Sequence, residues 1–168
     1  MIFINGFAKN PIKGMFGLDV VEPFYHFIRS KYDLQPDLWN SLWKAAVDNP
    51  LAMYLAAAAG GFNLKVTHFK DVEVYTRGVA RLDLRVFIDL FGELMGYNGE
   101  DVLGKIMVPA LIISGEKDMV TPIKFQHHFK EMIKHSEFVT VPYGSHCTQL
   151  DFPDYTNLKI ENFLKAVK

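Results

Sequence analysis

The sequence predicts an α/β fold: a short parallel sheet of about three strands, interrupted by a helical insertion. Three observations carry this. Pro109-Ala110-Leu111-Ile112-Ile113-Ser114 is a continuous apolar run of strand length, as expected for a strand covered on both faces. Residues 105–168 alternate strand, helix, strand, helix, which is the order of parallel βαβ units. Residues 9–104 repeat apolar positions at helical spacing, between that block and a short apolar strand over residues 1–5. The organisation this gives is a core made of residues 1–8 and 105–168, with residues 9–104 inserted into it.

Each element has its own signal. After the strand over residues 1–5, Val20 to Ile28 is a weak helix pattern interrupted by Pro23. Trp39, Leu42, Trp43 and Ala46 recur at helical steps after Pro36. Asn49-Pro50 places a capping side chain before a proline at the first helical position. Leu51, Tyr54, Leu55 and Ala58 follow with helical spacing, and Gly60-Gly61 ends that helix. Val72 to Tyr75 is compatible with a strand or with a helix start. Leu84, Phe87, Ile88, Phe91 and Leu94 give an amphipathic helix. Thr121-Pro122 opens another, with Phe125, Phe129, Met132 and Ile133 on its apolar face. Phe138-Val139-Thr140-Val141 is a second short strand of the later block. Ile160, Phe163, Leu164 and Val167 give the terminal helix its stripe.

Composition excludes several classes. Of the 168 residues 49% are hydrophobic and 22% charged, which is a globular profile rather than a disordered one. The net charge of −1 leaves no positive surplus for nucleic acid. A single cysteine, Cys147, rules out an internal disulfide framework and a Cys-rich zinc site. The apolar start Met1 to Gly6 is too short for a signal core, and Leu51 to Ala59 is too short to span a bilayer. A cytoplasmic protein that contacts neither nucleic acid nor membrane is expected. Neither a cofactor nor a metal is expected.

Two strand ends carry the chemistry. The first runs out into Ser114-Gly115-Glu116-Lys117-Asp118, the second into Val141-Pro142-Tyr143-Gly144-Ser145-His146. Functional groups collect at the carboxyl ends of strands in open α/β sheets. A carboxylate beside a histidine fixes its tautomer and supports the imidazolium formed during general base catalysis. The glycines at 115 and 144 suit the sharp turns that aim these side chains inward.

The run Ile106 to Asp118, followed by Gly144-Ser145-His146 and by Pro153 before the terminal helix, resembles the C-terminal part of the α/β-hydrolase superfamily. The resemblance covers residues 105–168 well and the rest more loosely. It implies a partial α/β-hydrolase fold in which residues 1–5 are the sixth strand and residues 9–104 a helical cap. It also implies that Asp118 is the acid and His146 the base of a catalytic triad, with an ester-like small-molecule substrate. The Gly-x-Ser-x-Gly elbow of that family has no counterpart here. Of Ser30, Ser41, Ser114, Ser136 and Ser145, none has the flanking glycines. Asp19, two residues after Gly17, follows no strand end. The oxyanion loop also lacks a counterpart.

The remaining polar residues have plain structural readings. Asp151 helps set the turn before Pro153, and Glu116 and Lys117 are solvated loop charges. Ser145 is a small turn residue, and Cys147 a buried small hydrophobe. His127 and His128 are adjacent on a helix and cannot share a face. The methionines and phenylalanines of the insertion are packing residues, or the lining of an acyl or other apolar pocket.

Three functions fit this sequence. It is the cap and acid–base half of a serine hydrolase, inactive alone. Alternatively it is a non-catalytic binding or assembly module that retains part of the fold. Or it is a small hydrolase with Cys147 or Ser145 as an unorthodox nucleophile. In the first case Ile2 to Ile4 would form an open hydrophobic edge that pairs with an N-terminal half or with a second copy.

Overall fold

The computed structural model describes residues 1–47, 49–59 and 61–167. Three strands form one parallel sheet in the order β1-β2-β3: β1 is Ile2–Ile4, β2 is Ala110–Gly115 and β3 is Ser136–Val141. Ile2 pairs with Leu111, Phe3 with Ile112 and Ile4 with Ile113. From Ala110 opposite Ser136 to Gly115 opposite Val141, β2 then runs beside β3. The strand of the later block therefore begins at Ser136, two residues before the apolar run at Phe138.

Residue alternation divides the sheet into two faces. On one face Ala110 and Ile112 meet Phe129 and Ile133, with Phe3 and Phe138 packed against them. Helix α7 (Ile123–Met132) supplies Phe129. On the other face Leu111, Ile113 and Val141 meet Phe163, with Ile2, Ile4 and Ile160 beside them. After the short helix α8 (Thr148–Asp151), helix α9 (Pro153–Ala166) supplies Phe163 and Ile160. All six residues of β2 are buried, as its unbroken apolar run demands. Leu164 and Val167 are exposed at 47% and 42%, so the predicted stripe of α9 narrows to Ile160 and Phe163.

The helical block follows β1. Helix α1 spans Val21–Leu34, α2 Pro36–Val47, α3 Pro50–Ala59, α4 Phe69–Ala80, α5 Leu84–Gly96 and α6 Glu100–Leu103. Pro23 does not interrupt α1, because it sits in the first turn, where a helix needs no backbone N–H donor. Pro36 opens α2 in the same way. The Asn49 side chain accepts the N–H groups of Leu51 and Ala52 at 2.9 and 3.3 Å, the predicted cap of α3. Of the predicted stop at Gly60-Gly61, Gly60 lies outside the described residues, and Gly61 takes the left-handed φ of +88°. Val72 to Tyr75 is helical, inside α4. The short α6 shows no apolar stripe in the sequence, but Asn98 Oδ1 accepts the Glu100 N–H at 3.0 Å and Glu100 and Asp101 stand in its first turn.

Tyr25, Tyr32, Leu84 and Ile88 form the centre of this block, with Trp39, Trp43 and Phe91 against them. A second cluster, Ala57, Phe62, Val72 and Cys147, joins the block to the loop after β3. No helix is long and apolar enough to cross a membrane among the described residues.

Candidate functional site

The loops after β2 and β3 bring Asp118 and His146 together, although 28 residues separate them. Asp118 Oδ2 lies 3.0 Å from His146 Nδ1. The Asp118 side chain is wholly buried, whereas that of His146 is 29% exposed. Asp118 Oδ1 accepts the backbone N–H groups of Val120 and Thr121, both at 2.8 Å. These two bonds fix the carboxylate so that Oδ2 alone faces the ring. An ionised carboxylate only accepts, so it selects the imidazole tautomer with its proton on Nδ1. Nε2 is then left as a base with a free lone pair.

Thr121 completes the turn. Its hydroxyl stands 2.8 Å from Asp118 Oδ2 and 2.9 Å from the Asn5 carbonyl, with one proton for the two acceptors. Asn5, the residue after β1, is 4% exposed and holds a left-handed φ of +49°. Its Oδ1 accepts the Gly115 N–H at 2.7 Å. Its Nδ2 donates to the carbonyls of Ser145 and His146 at 3.0 and 2.6 Å.

The glycines serve this site differently from expectation. Neither Gly115 nor Gly144 has a positive φ; Tyr143 does, at +60°. Instead both stand where no side chain fits. A Cβ on Gly115 would lie 2.2 Å from the Ser145 carbonyl oxygen, and one on Gly144 2.0 Å from Thr148 Oγ1. Gly115 is required by the close approach of the two loops and Gly144 by the tight packing of its own loop on Thr148, rather than by a left-handed turn.

The helical block reaches the site through residues 61–67. The Gly61 carbonyl accepts the His146 N–H at 2.9 Å, and Asn63 Nδ2 donates to the Tyr143 carbonyl at 2.8 Å. The Thr67 hydroxyl donates to Asp151 Oδ1, and Asp151 Oδ2 accepts the Ser145 N–H at 2.6 Å. Asp151 is therefore a buried tie between the helical insertion and the His146 loop, rather than a residue that sets the turn before Pro153.

The other candidates fall away from the ring. Ser145 Oγ accepts the Cys147 N–H at 3.2 Å. Cys147 is buried, and that burial, together with the charges of Asp151 and Asp118, pushes its thiol up to about 12. A thiol of that kind stays protonated at neutral pH and is a poor nucleophile. Glu116 is more than a solvated charge. It accepts the Tyr143 N–H at 3.0 Å, and that bond, aided by Lys117, holds its carboxyl below the usual range. His127 stacks on Phe138 while His128 pairs with Glu100 at 2.5 Å, so the two histidines diverge. Among the described residues no three His, Cys, Asp or Glu side chains converge as a metal site.

A cavity of about 400 Å³ opens among α1, α2 and α5. Phe24, Ile28, Trp39, Trp43 and Phe91 are among its walls, and none of its lining residues comes from the loops that carry Asp118 and His146.

Sequence reasoning named Asp118 and His146, which the structure brings within 3.0 Å, but neither Asn5 nor the 61–67 loop. Asn-Gly directly after an apolar strand is the turn signal that could have marked Asn5. Nothing local marks the Gly61 carbonyl, because its role depends on the partner it meets.

No protein-family model and no curated protein matches this sequence. Solved structures do match. A thermophilic esterase is 24% identical, with a TM-score of 0.60, over 99% of this chain and 56% of its own. The α/β hydrolase MGS-M2 from a Medee basin deep-sea metagenome library is 22% identical, with a TM-score of 0.63, over 100% and 56%. A bromoperoxidase from Bacillus anthracis is 20% identical, with a TM-score of 0.59, over 77% and 49%. At such identities the likeness is one of fold. The chain has the architecture of α/β-hydrolase proteins and spans about half of their length.

Proposed function

We propose that this chain supplies the acid–base half and the cap of a serine-hydrolase-type enzyme that cleaves esters or similar acyl bonds. The nucleophile stands on a segment outside this sequence. The observation that carries the proposal is the 3.0 Å approach of Asp118 Oδ2 to His146 Nδ1, at the carboxyl ends of adjacent parallel strands, on the fold of known esterases.

In this reading His146 Nε2 takes the proton of a serine hydroxyl as the oxygen attacks the acyl carbon. The imidazolium formed is stabilised by Asp118, which stays ionised. His146 then gives the proton to the departing alcohol. Water repeats the sequence in the second half-reaction and releases the acid. The open edge of β1 would pair with the strand that carries the nucleophile, and residues 9–104 would lie over the acyl group. The apolar cavity and the exposed Phe24, at 61%, suit a surface that covers apolar substrate.

A second reading, a non-catalytic assembly module, draws on the same exposed apolar residues and the same open edge. A fluorophosphonate probe separates the two. The chain alone stays unlabelled. Co-expressed with the segment encoded directly upstream, the complex is labelled, and His146→Ala lowers the labelling rate by roughly 10³-fold or more. Labelling of the isolated chain at Ser145 would overturn the placement of the nucleophile. Absence of labelling in both samples favours the assembly module.

A further inference from the structure

We propose that Asn5 is a positioning residue for His146, acting through its buried carboxamide. The proposal rests on the acid–base reading of Asp118 and His146. One residue, 4% exposed, ties together every segment that forms the pair. Its N–H donates to the Ile113 carbonyl at 2.9 Å, which anchors it to the end of β2. Its Oδ1 accepts the Gly115 N–H at 2.7 Å, at the start of the loop that leads to Asp118. Its carbonyl stands 2.9 Å from the Thr121 hydroxyl, and the Thr121 N–H holds Asp118 Oδ1. Its Nδ2 donates to the carbonyls of Ser145 and His146.

The orientation of the amide follows from these partners. A flipped group would set NH₂ against the Gly115 N–H and oxygen against two carbonyls. The carboxamide therefore acts as a spacer of fixed length between the β2 end and the main chain of His146. It also needs a left-handed backbone, at φ +49°, which asparagine accepts more readily than most residues. That position explains why an amide fits here where a hydrophobic strand residue would not. Removing it leaves two buried carbonyls and one N–H without partners. The His146 loop then loses its direct tie to the end of β2 and keeps its bonds to Gly61, Asn63, Glu116, Lys117 and Asp151, which leave the ring free to shift relative to Asp118.

The test is the tautomer of the His146 ring, read from the nitrogen chemical shifts of the ¹⁵N-histidine-labelled full chain above the imidazole titration range. The signal is assigned with His146→Ala. In the wild type the proton sits on Nδ1. Asn5→Gly keeps the left-handed backbone but deletes the amide, and the ring reverts to a majority with the proton on Nε2, as in free imidazole side chains. Asn5→Asp keeps shape and backbone but sets a carboxylate against two carbonyls, and gives the same reversal. Ile112→Val removes a core methyl from the α7 face of the sheet without touching the hydrogen bonds of the amide, and leaves the tautomer unchanged, so loss of stability alone does not produce the effect. A wild-type ring carrying its proton on Nε2 would sink the acid–base reading itself. A wild-type Nδ1–H ring that survives both Asn5→Gly and Asn5→Asp overturns the role of Asn5 and leaves the pair intact.

Discussion

All six residues of β2 are buried, whereas α1 buries only Tyr25 and Tyr32 along 14 residues, and α5 only Leu84 and Ile88 along 13. The difference lies in how many sides are covered. The central strand has α7 on one face, α9 on the other, and a strand at each edge. The helices of residues 21–103 pack mainly on one another and leave Leu55, Val74 and Phe24 exposed at 60% or more. Hydrophobic stabilisation follows the area removed from water. The sheet region therefore carries the fold, while the helical region presents apolar surface outward.

Truncation of matched core positions is the hardest test of that contrast. Ile112 is 0% exposed and Leu84 6%. Ile112→Ala should cost about 4 kcal/mol, near the upper end for a buried aliphatic residue, because both neighbouring strands hinder collapse of the cavity. Leu84→Ala should cost about 2–3 kcal/mol, because a one-sided helix layer can relax into the gap. Urea unfolding measures both. Equal costs, or a larger one at Leu84, would break the distinction between the two regions.

Gly115→Ala sharpens it at the junction. The added methyl would meet the Ser145 carbonyl oxygen at 2.2 Å and the Gly144 carbonyl oxygen at 2.6 Å. Both are backbone atoms, so one loop must shift. The expected cost is about 1–3 kcal/mol, with amide shifts concentrated at residues 144–147 rather than in the helical block. Unchanged spectra in that loop would show that the two strand ends are less tightly coupled than their geometry requires.

The same contrast explains what the sequence revealed. β2 was legible because a strand buried on both faces needs an unbroken apolar run. The meeting of Asp118 and His146 was legible because each lies in the loop after the carboxyl end of a strand, β2 and β3. The helix periodicity of Leu84 to Leu94 was legible for its one covered face. Pro23 misled because proline is disruptive inside a helix but harmless in its first turn, and only the boundary tells which applies. Asn5 and the Gly61 carbonyl escaped because they act at long range: Asn5 bonds residues more than 100 positions away. No local spacing encodes such a partner. The glycines were found for the wrong reason, since close packing and freedom of φ leave the same letter in the sequence.

The last test concerns Cys147, where the two regions meet among Ala57, Phe62 and Val72. Its thiol is raised to about 12, first by burial and then by Asp151 and Asp118. An unfolded cysteine ionises near pH 8.5. The folded chain thus keeps a proton that the unfolded chain has lost, and stability falls as pH rises through that interval. Below about pH 8 the contribution is fully present, and by pH 12 it is gone. Cys147→Ala removes this dependence, so its unfolding free energy should decline less steeply than the wild type's between pH 8.5 and the onset of alkaline unfolding. The native thiol should also resist a disulfide reagent at pH 8 and react once urea unfolds the chain. Rapid reaction in the native state would mean that the contact between the helical block and the His146 loop opens readily. That would move the boundary between the firm and the adaptable region to the site itself.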